Sequence, residues 1–193
     1  MHELVVRTPR LDLIAATLSH VDAELESHAA LERVLGAAVP ADWPPGEYDR
    51  AAQEFFRREL ASVGSSRVGW LTWYAVTRND DGGRAGLVAG AGFFGPPVGG
   101  CVEIGYSVVP AARGRGIATE VVRALVSHAF THPSVDEVVA HTSDENVTST
   151  RVLLRCGFRR VGPGTDPGSV EYRTRRPPES PRDEHLLTPD GRR

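Results

Sequence analysis

Hydrophobic and polar positions follow different periods along this chain, and the places where one gives way to another mark its elements. Leu11-Asp12-Leu13-Ile14-Ala15 reads as a first strand. A helix follows, capped by Thr17 or Ser19 with Asp22 three residues after Ser19, striped by Val21, Leu25, Ala29 and Leu31, and ended by Gly36. Beyond the loop Pro40-Ala41-Asp42-Trp43-Pro44-Pro45-Gly46, a second helix spans residues 47–62 with Tyr48, Ala51, Ala52, Phe55 and Leu60 on its buried face. Residues 70–77 and 87–94 pair as a hairpin across a polar, Gly-rich connection, and 101–109 form the next strand. A helix over 116–130 carries Val121, Val122, Leu125, Val126 and Ala129 inward, and Pro133 ends it. A buried strand at 135–141 precedes a helix capped by Ser143, Asp144 or Asn146 and closed by Gly157. Residues 158–161 and 170–174 then form a last hairpin. Residues 1–175 are expected to be one domain, and the polar, Pro-rich segment 176–193 a disordered tail.

Between the strand and the helix at its centre, the chain reads Val108-Val109-Pro110-Ala111-Ala112-Arg113-Gly114-Arg115-Gly116-Ile117-Ala118-Thr119-Glu120. A β-branched run stops at a proline, two glycines follow, and a helix begins. The first N–H groups of that helix lack intrahelical partners, its dipole is positive there, and glycines admit a ligand close to the backbone. With Arg113 and Arg115 alongside, the guest to expect is a phosphate or pyrophosphate; the alternative is a plain turn with two solvated arginines. A nucleotide P-loop is excluded, because the chain contains no lysine. Gly90-Ala91-Gly92-Phe93-Phe94-Gly95 matches a dinucleotide fingerprint but runs into Pro96-Pro97 instead of a helix, so it reads as a glycine-rich strand. Gln/Arg-x-x-Gly-x-Gly/Ala fits at Arg113-x-x-Gly116-x-Ala118.

Composition narrows the picture further. A net charge of -3 on 193 residues gives no electrostatic case for nucleic acid. Two isolated thiols, Cys101 and Cys156, fit a reducing compartment, and no His/Cys spacing points to a metal. Neither a signal peptide nor a membrane-length apolar run occurs, which makes the cytoplasm the expected location and a membrane partner unexpected.

With the Arg113–Ala118 pattern in place, the chain resembles the GCN5-related N-acetyltransferase (GNAT) family. Asn146-Val147-Thr148-Ser149-Thr150-Arg151-Val152-Leu153-Leu154-Arg155-Cys156-Gly157-Phe158 resembles the family's second motif, a helix opened near an Asn and closed by Gly-Phe. Thr8-Pro9-Arg10-Leu11-Asp12-Leu13 resembles the first strand of the RimJ/RimL-like branch, which acetylates ribosomal-protein N-termini. The resemblance implies an α/β (mixed α+β) domain. Its twisted, mostly antiparallel sheet would be flanked by about four helices, with a splayed strand pair at the acyl-CoA site.

It also implies acetyl-CoA as co-substrate and no metal. The backbone N–H groups from Arg113 through Gly114, Arg115, Gly116, Ile117 and Ala118 to Thr119 would cradle the pyrophosphate. The N–H of Val108, with Val109 beside it, would face the thioester carbonyl. Glu103 is the expected base, buried among Val102, Ile104 and Val108 with a raised pKa; its alternative is a structural pair with an arginine such as Arg123. The family's tyrosine acid is missing, since Leu153 stands seven residues after the Asn. Ser149 takes that role, with Tyr106 behind it. Asn146 contacts pantetheine or merely caps its helix, His141 is expected to be structural, and Cys156 to be packing. Trp43, Phe55 and Tyr106 are expected at the acceptor pocket; the plainer reading makes the aromatics core. The expected reaction moves an acetyl group to a primary amine of a protein N-terminus or an amino-acid-like molecule by direct attack in a ternary complex, with a homodimer left open. A non-catalytic acyl-CoA-binding module and transfer of another acyl group such as succinyl are the alternatives.

Overall fold

The computed structural model describes residues 3–178. Eight strands form one sheet: β1 (Val5–Arg7), β2 (Leu11–Ala15), β3 (Thr72–Arg78), β4 (Arg84–Phe93), β5 (Cys101–Val108), β6 (Glu137–Ser143), β7 (Arg159–Pro163) and β8 (Ser169–Arg175). Their order is β1-β2-β3-β4-β5-β6-β8-β7, antiparallel throughout except for the parallel β5–β6 pair. A parallel pair needs a crossover, and here the crossover is α4 (Ile117–Thr131). Its buried residues are Ile117 and the five apolar positions the periodicity assigned to the core. The mixed, mostly antiparallel α/β sheet is the one expected.

Three helices cover the opposite face of the sheet: α1 (Leu18–Glu26), α2 (His28–Leu35) and α3 (Arg50–Val63). The single first helix expected up to Gly36 is therefore two. Ser27 breaks it: its backbone is extended (φ -172°, ψ 160°) and its hydroxyl accepts from the Ala30 N–H at 3.1 Å, capping a new helix. The break resets the helical phase, so Ala29, expected inside, is exposed while Ala30, Leu31 and Leu35 are buried. Helix α3 starts at Arg50 rather than 47, because Asp49 accepts from the Ala52 N–H at 3.0 Å. Its buried face is Gln53, Phe56 and Leu60, leaving Phe55 half-buried and Ala51 exposed. With α5 (Val147–Arg155) beside α4, the α-helices among the described residues number five.

At the carboxyl end, Arg176, assigned by sequence to the tail, donates to the carbonyl oxygens of Phe130, His132 and Val135 and sits 5.6 Å from the Phe130 ring centroid. The chain is thus tied down one residue later than expected, and most of the proposed tail lies outside the described residues.

Candidate functional site

The sheet opens at its centre. Strands β5 and β6 pair only at Cys101–Glu137, Val102–Val138 and Glu103–Val139. Beyond that point β5 continues against β4 as far as Val108, and β6 continues against β8 as far as Ser143. The two strands diverge, as the family resemblance implied. On the β4 side Val109 N–H donates to the Val88 oxygen at 3.0 Å, which makes the neighbouring Ala89–Val108 pair a non-hydrogen-bonded one. The N–H of Val108 therefore points away from β4, into the gap.

From Val108 the chain turns through a 3-10 segment, Pro110–Ala112, and a loop to α4. Gly114 and Gly116 adopt φ of +73° and +77°, a region costly for side chains with a Cβ. Gly116 is the N-cap, and Glu120 N–H makes a helical bond back to its carbonyl. The preceding N–H groups, of Ile117, Ala118 and Thr119, are the free donors of a helix start. Arg113 turns its guanidinium back, Nε donating to the Val108 carbonyl at 3.0 Å, and so fixes the turn at the end of β5.

Strand alternation puts Glu103, Gly105 and Ser107 on the face opposite Val102, Ile104, Tyr106 and Val108. The apolar enclosure expected for Glu103 is absent for that reason: its apolar neighbours in sequence point the other way, and its side chain is 41% exposed. Arg123 is not its partner either, since Arg123 donates to the Arg155 carbonyl. Glu103 Oε1 instead lies 2.8 Å from His141 Nδ1 across the β5–β6 gap. His141 Nε2 faces Glu171 Oε2 at 3.6 Å, within ion-pair range but beyond hydrogen-bond reach, and is a buried nitrogen without a hydrogen-bond partner. Glu171 is held below the usual carboxylate range by the Arg173 guanidinium, against a smaller opposing effect of burial. Sequence reasoning left His141 structural; it stands two residues past Val139, the register partner of Glu103, on the same face of β6, and opposite Glu171 on β8, which brings it to Glu103 where the strands begin to part.

On the other face, two residues weighed separately are in contact. Tyr106 Oη and Ser149 Oγ are 2.8 Å apart, joining β5 to the first turn of α5. Burial pushes the Tyr106 hydroxyl up to about 12, against the opposing effect of the Ser149 hydrogen bond. Asn146 is the N-cap of α5, its side chain accepting from the Ser149 N–H at 3.0 Å. Cys156 is half-buried, and its Sγ lies 3.6 Å from the Thr119 carbonyl.

The three aromatic residues expected at the acceptor pocket do not converge. Tyr106 is on the α5 face, Phe55 packs against Phe56 on α3, and Trp43 is buried in the core. Trp43 Nε1 donates to Glu24 at 2.7 Å, and Tyr48 and Tyr74 donate to the same carboxylate at 2.8 and 2.6 Å. Burial raises the Glu24 carboxyl above its ordinary value despite these donors and that of Gln53. The network seats the 40–48 loop over the sheet, where Trp43 and Tyr48 cover Gly90 and Gly46 abuts the Ser107 hydroxyl. A Cβ at Gly90 would come within 3.1 Å of the Tyr48 ring, so the glycine-rich strand earns its composition by letting aromatics close on the backbone.

A family model described as an acetyltransferase (GNAT) domain matches residues 10–159. The chain belongs to the GNAT family and is an acyltransferase of the class that moves an acetyl group from acetyl-CoA to an amine. It is 26% identical over 157 residues to YjdG of Bacillus subtilis (strain 168), an uncharacterized N-acetyltransferase, covering 80% of this chain and 89% of that protein. Among solved structures it is similar to the acetyltransferase from Agrobacterium tumefaciens, with a TM-score of 0.62 and 22% identity over 91% of this chain and 96% of that one. It is also similar to RimL, a ribosomal alpha-N-protein acetyltransferase, in complex with coenzyme A, with a TM-score of 0.59 and 19% identity over 89% and 98%. No helix among the described residues is long and apolar enough to cross a membrane.

Proposed function

We propose that the protein acetylates a primary amine, on a protein N-terminus or an amino-acid-like small molecule, by direct attack on acetyl-CoA bound in the β5–β6 gap. The observation that carries this reading is the coincidence of three features at one point: the divergence of β5 from β6, the inward Val108 N–H, and the free helix start of α4 a few residues on. The pyrophosphate is held by the backbone donors of Gly114 to Thr119; the Arg113 N–H, expected in this cradle, instead donates to the Pro110 carbonyl at 3.2 Å and closes the turn, with the buried Val109 beside it. Val108 N–H donates to the thioester oxygen and strengthens that bond as negative charge develops there.

The amine must lose a proton to attack. Glu103 accepts it, oriented by His141. The nitrogen–carbon bond forms as the carbon–sulfur bond breaks, and the thiolate takes a proton from Ser149. Tyr106, protonated throughout the neutral range, replaces it, and once CoA-SH leaves the phenolate regains a proton from solvent while Glu103 releases one to it, so the 2.8 Å Tyr106–Ser149 contact acts as a relay on the sulfur side of the gap. Asn146 serves by holding the helix turn that presents Ser149.

An amine library scored by thiol release from acetyl-CoA tests the reading. It predicts turnover with at least one primary α-amine, abolished when the amine is N-methylated to a quaternary centre. Binding of acetyl-CoA without turnover across protein N-termini and amino-acid amides would contradict it.

A further inference from the structure

The Thr8-Pro9-Arg10 turn, a hundred residues from the acyl-CoA loop in sequence, lies against it in space. Thr8 Oγ1 donates to Glu120 Oε1 at 2.5 Å, and the Arg10 backbone N–H donates to the same oxygen at 3.0 Å. Arg10 Nε and Nη2 both reach Glu120 Oε2 at 2.6 Å, while Nη1 donates to the Arg115 carbonyl at 2.9 Å. The guanidinium thus spans from the first turn of α4 to the loop before it. Its Nη2 sits 3.5 Å from where a Cβ at Gly116 would be. Burial opposes ionisation of Glu120, but the Thr8 and Arg10 donors together hold its carboxyl below the ordinary value. The turn is itself anchored: Arg78 at the end of β3 donates to the carbonyl oxygens of Thr8, Pro9 and Leu11 and to Asp12.

We infer that Thr8 and Arg10 are positioning residues for acetyl-CoA, a brace that holds the pyrophosphate loop in its ligand-ready shape without touching the ligand. Two physical effects act together. A loop with two left-handed glycines has many open conformations, and pinning the Arg115 carbonyl removes some of them before the ligand arrives. Glu120 in the first turn places a negative charge close to where the pyrophosphate binds, and Arg10 cancels it. A planar guanidinium is required, because one fork must serve both a carboxylate and a carbonyl. The inference rests on the acetyl-CoA reading above.

The test is calorimetric titration of wild type, Arg10→Ala and Arg10→Lys with acetyl-CoA and, in parallel, with S-acetylpantetheine, which lacks the pyrophosphate. The brace predicts that both variants bind acetyl-CoA on the order of tenfold more weakly, with S-acetylpantetheine affinity unchanged. Lysine keeping wild-type affinity would overturn the spanning role, and so would Arg10→Ala binding acetyl-CoA as wild type does. Equal losses for both ligands would also overturn it, as a general disturbance of the cleft. Wild type failing to bind acetyl-CoA at all would instead bring down the functional reading itself.

Discussion

The two sides of the β5–β6 gap are built by different means. On the donor side, recognition is assigned to backbone groups contiguous in sequence: the end of β5, a two-glycine turn and the start of α4. On the proposed acceptor side it is assigned to side chains from separate strands, with Glu103 from β5, His141 from β6 and Glu171 from β8 meeting only because the sheet folds them together. The first kind of site tolerates change in the loop's outward side chains as long as its glycines, its strand–turn–helix order and the Arg10 brace that steadies it persist. The second kind is sensitive to each residue it contains.

That contrast sets the expected effects. Glu103→Gln lowers kcat by about 10²- to 10⁴-fold, the range of a lost general base, while acetyl-CoA affinity by calorimetry stays at the wild-type value. A parallel loss of affinity would mean that Glu103 serves the donor side instead. Glu24→Ala removes the acceptor of four buried donors and costs on the order of 3 kcal/mol in urea unfolding. Wild-type stability in that variant would show that Trp43, Tyr48 and Tyr74 find other partners. Ser149→Ala reduces kcat by less than about tenfold, because Tyr106 keeps its proton and lies next to the vacated position. A Ser149→Ala, Tyr106→Phe double variant then falls further than either single change, and simple additivity would sink the relay.

The smallest effects lie in the pH dependence of stability, and they run in opposite directions. Glu24 has a raised pKa in the folded state, so its contribution is complete below the ordinary carboxylate range and is lost as pH rises through the raised value. Glu120 has a lowered one, so its contribution is complete above the ordinary range and is lost as pH falls through the lowered value. Raising the pH across the carboxylate range should therefore shift the wild-type-minus-variant stability difference in favour of Glu24→Gln and against Glu120→Gln. Unfolding curves in which both differences move the same way would contradict these assignments.

The same contrast explains what was legible beforehand. The loop, α4 and the places of β2 to β8 along the chain follow from local periodicity and glycine placement, which sequence carries directly; the three-residue β1, too short to show a period, and the spatial order of the strands do not. The Ser27 break was readable too, as a serine followed by a fresh apolar phase, but a continuous stripe from Val21 to Leu31 concealed it. His141 and the brace through Arg10 depend on register between distant strands, and no local pattern encodes that. The enclosure expected around Glu103 failed on a simple point of strand geometry, because residues adjacent in a strand face opposite ways. Trp43 follows the plainer of its two readings and is core, but the carboxyl group that holds it there, Glu24, lies nineteen residues away on α1, out of reach of any local pattern.

The proposed function requires that this gap and loop form an acetyl-CoA site. Its most direct test is calorimetric titration of acetyl-CoA into wild type and into Gly116→Trp, with circular dichroism confirming that both are folded. The predicted result is micromolar binding by wild type and none by the variant, whose indole fills the approach to the first N–H groups of α4. No binding by wild type, or equal binding by both folded proteins, would contradict it.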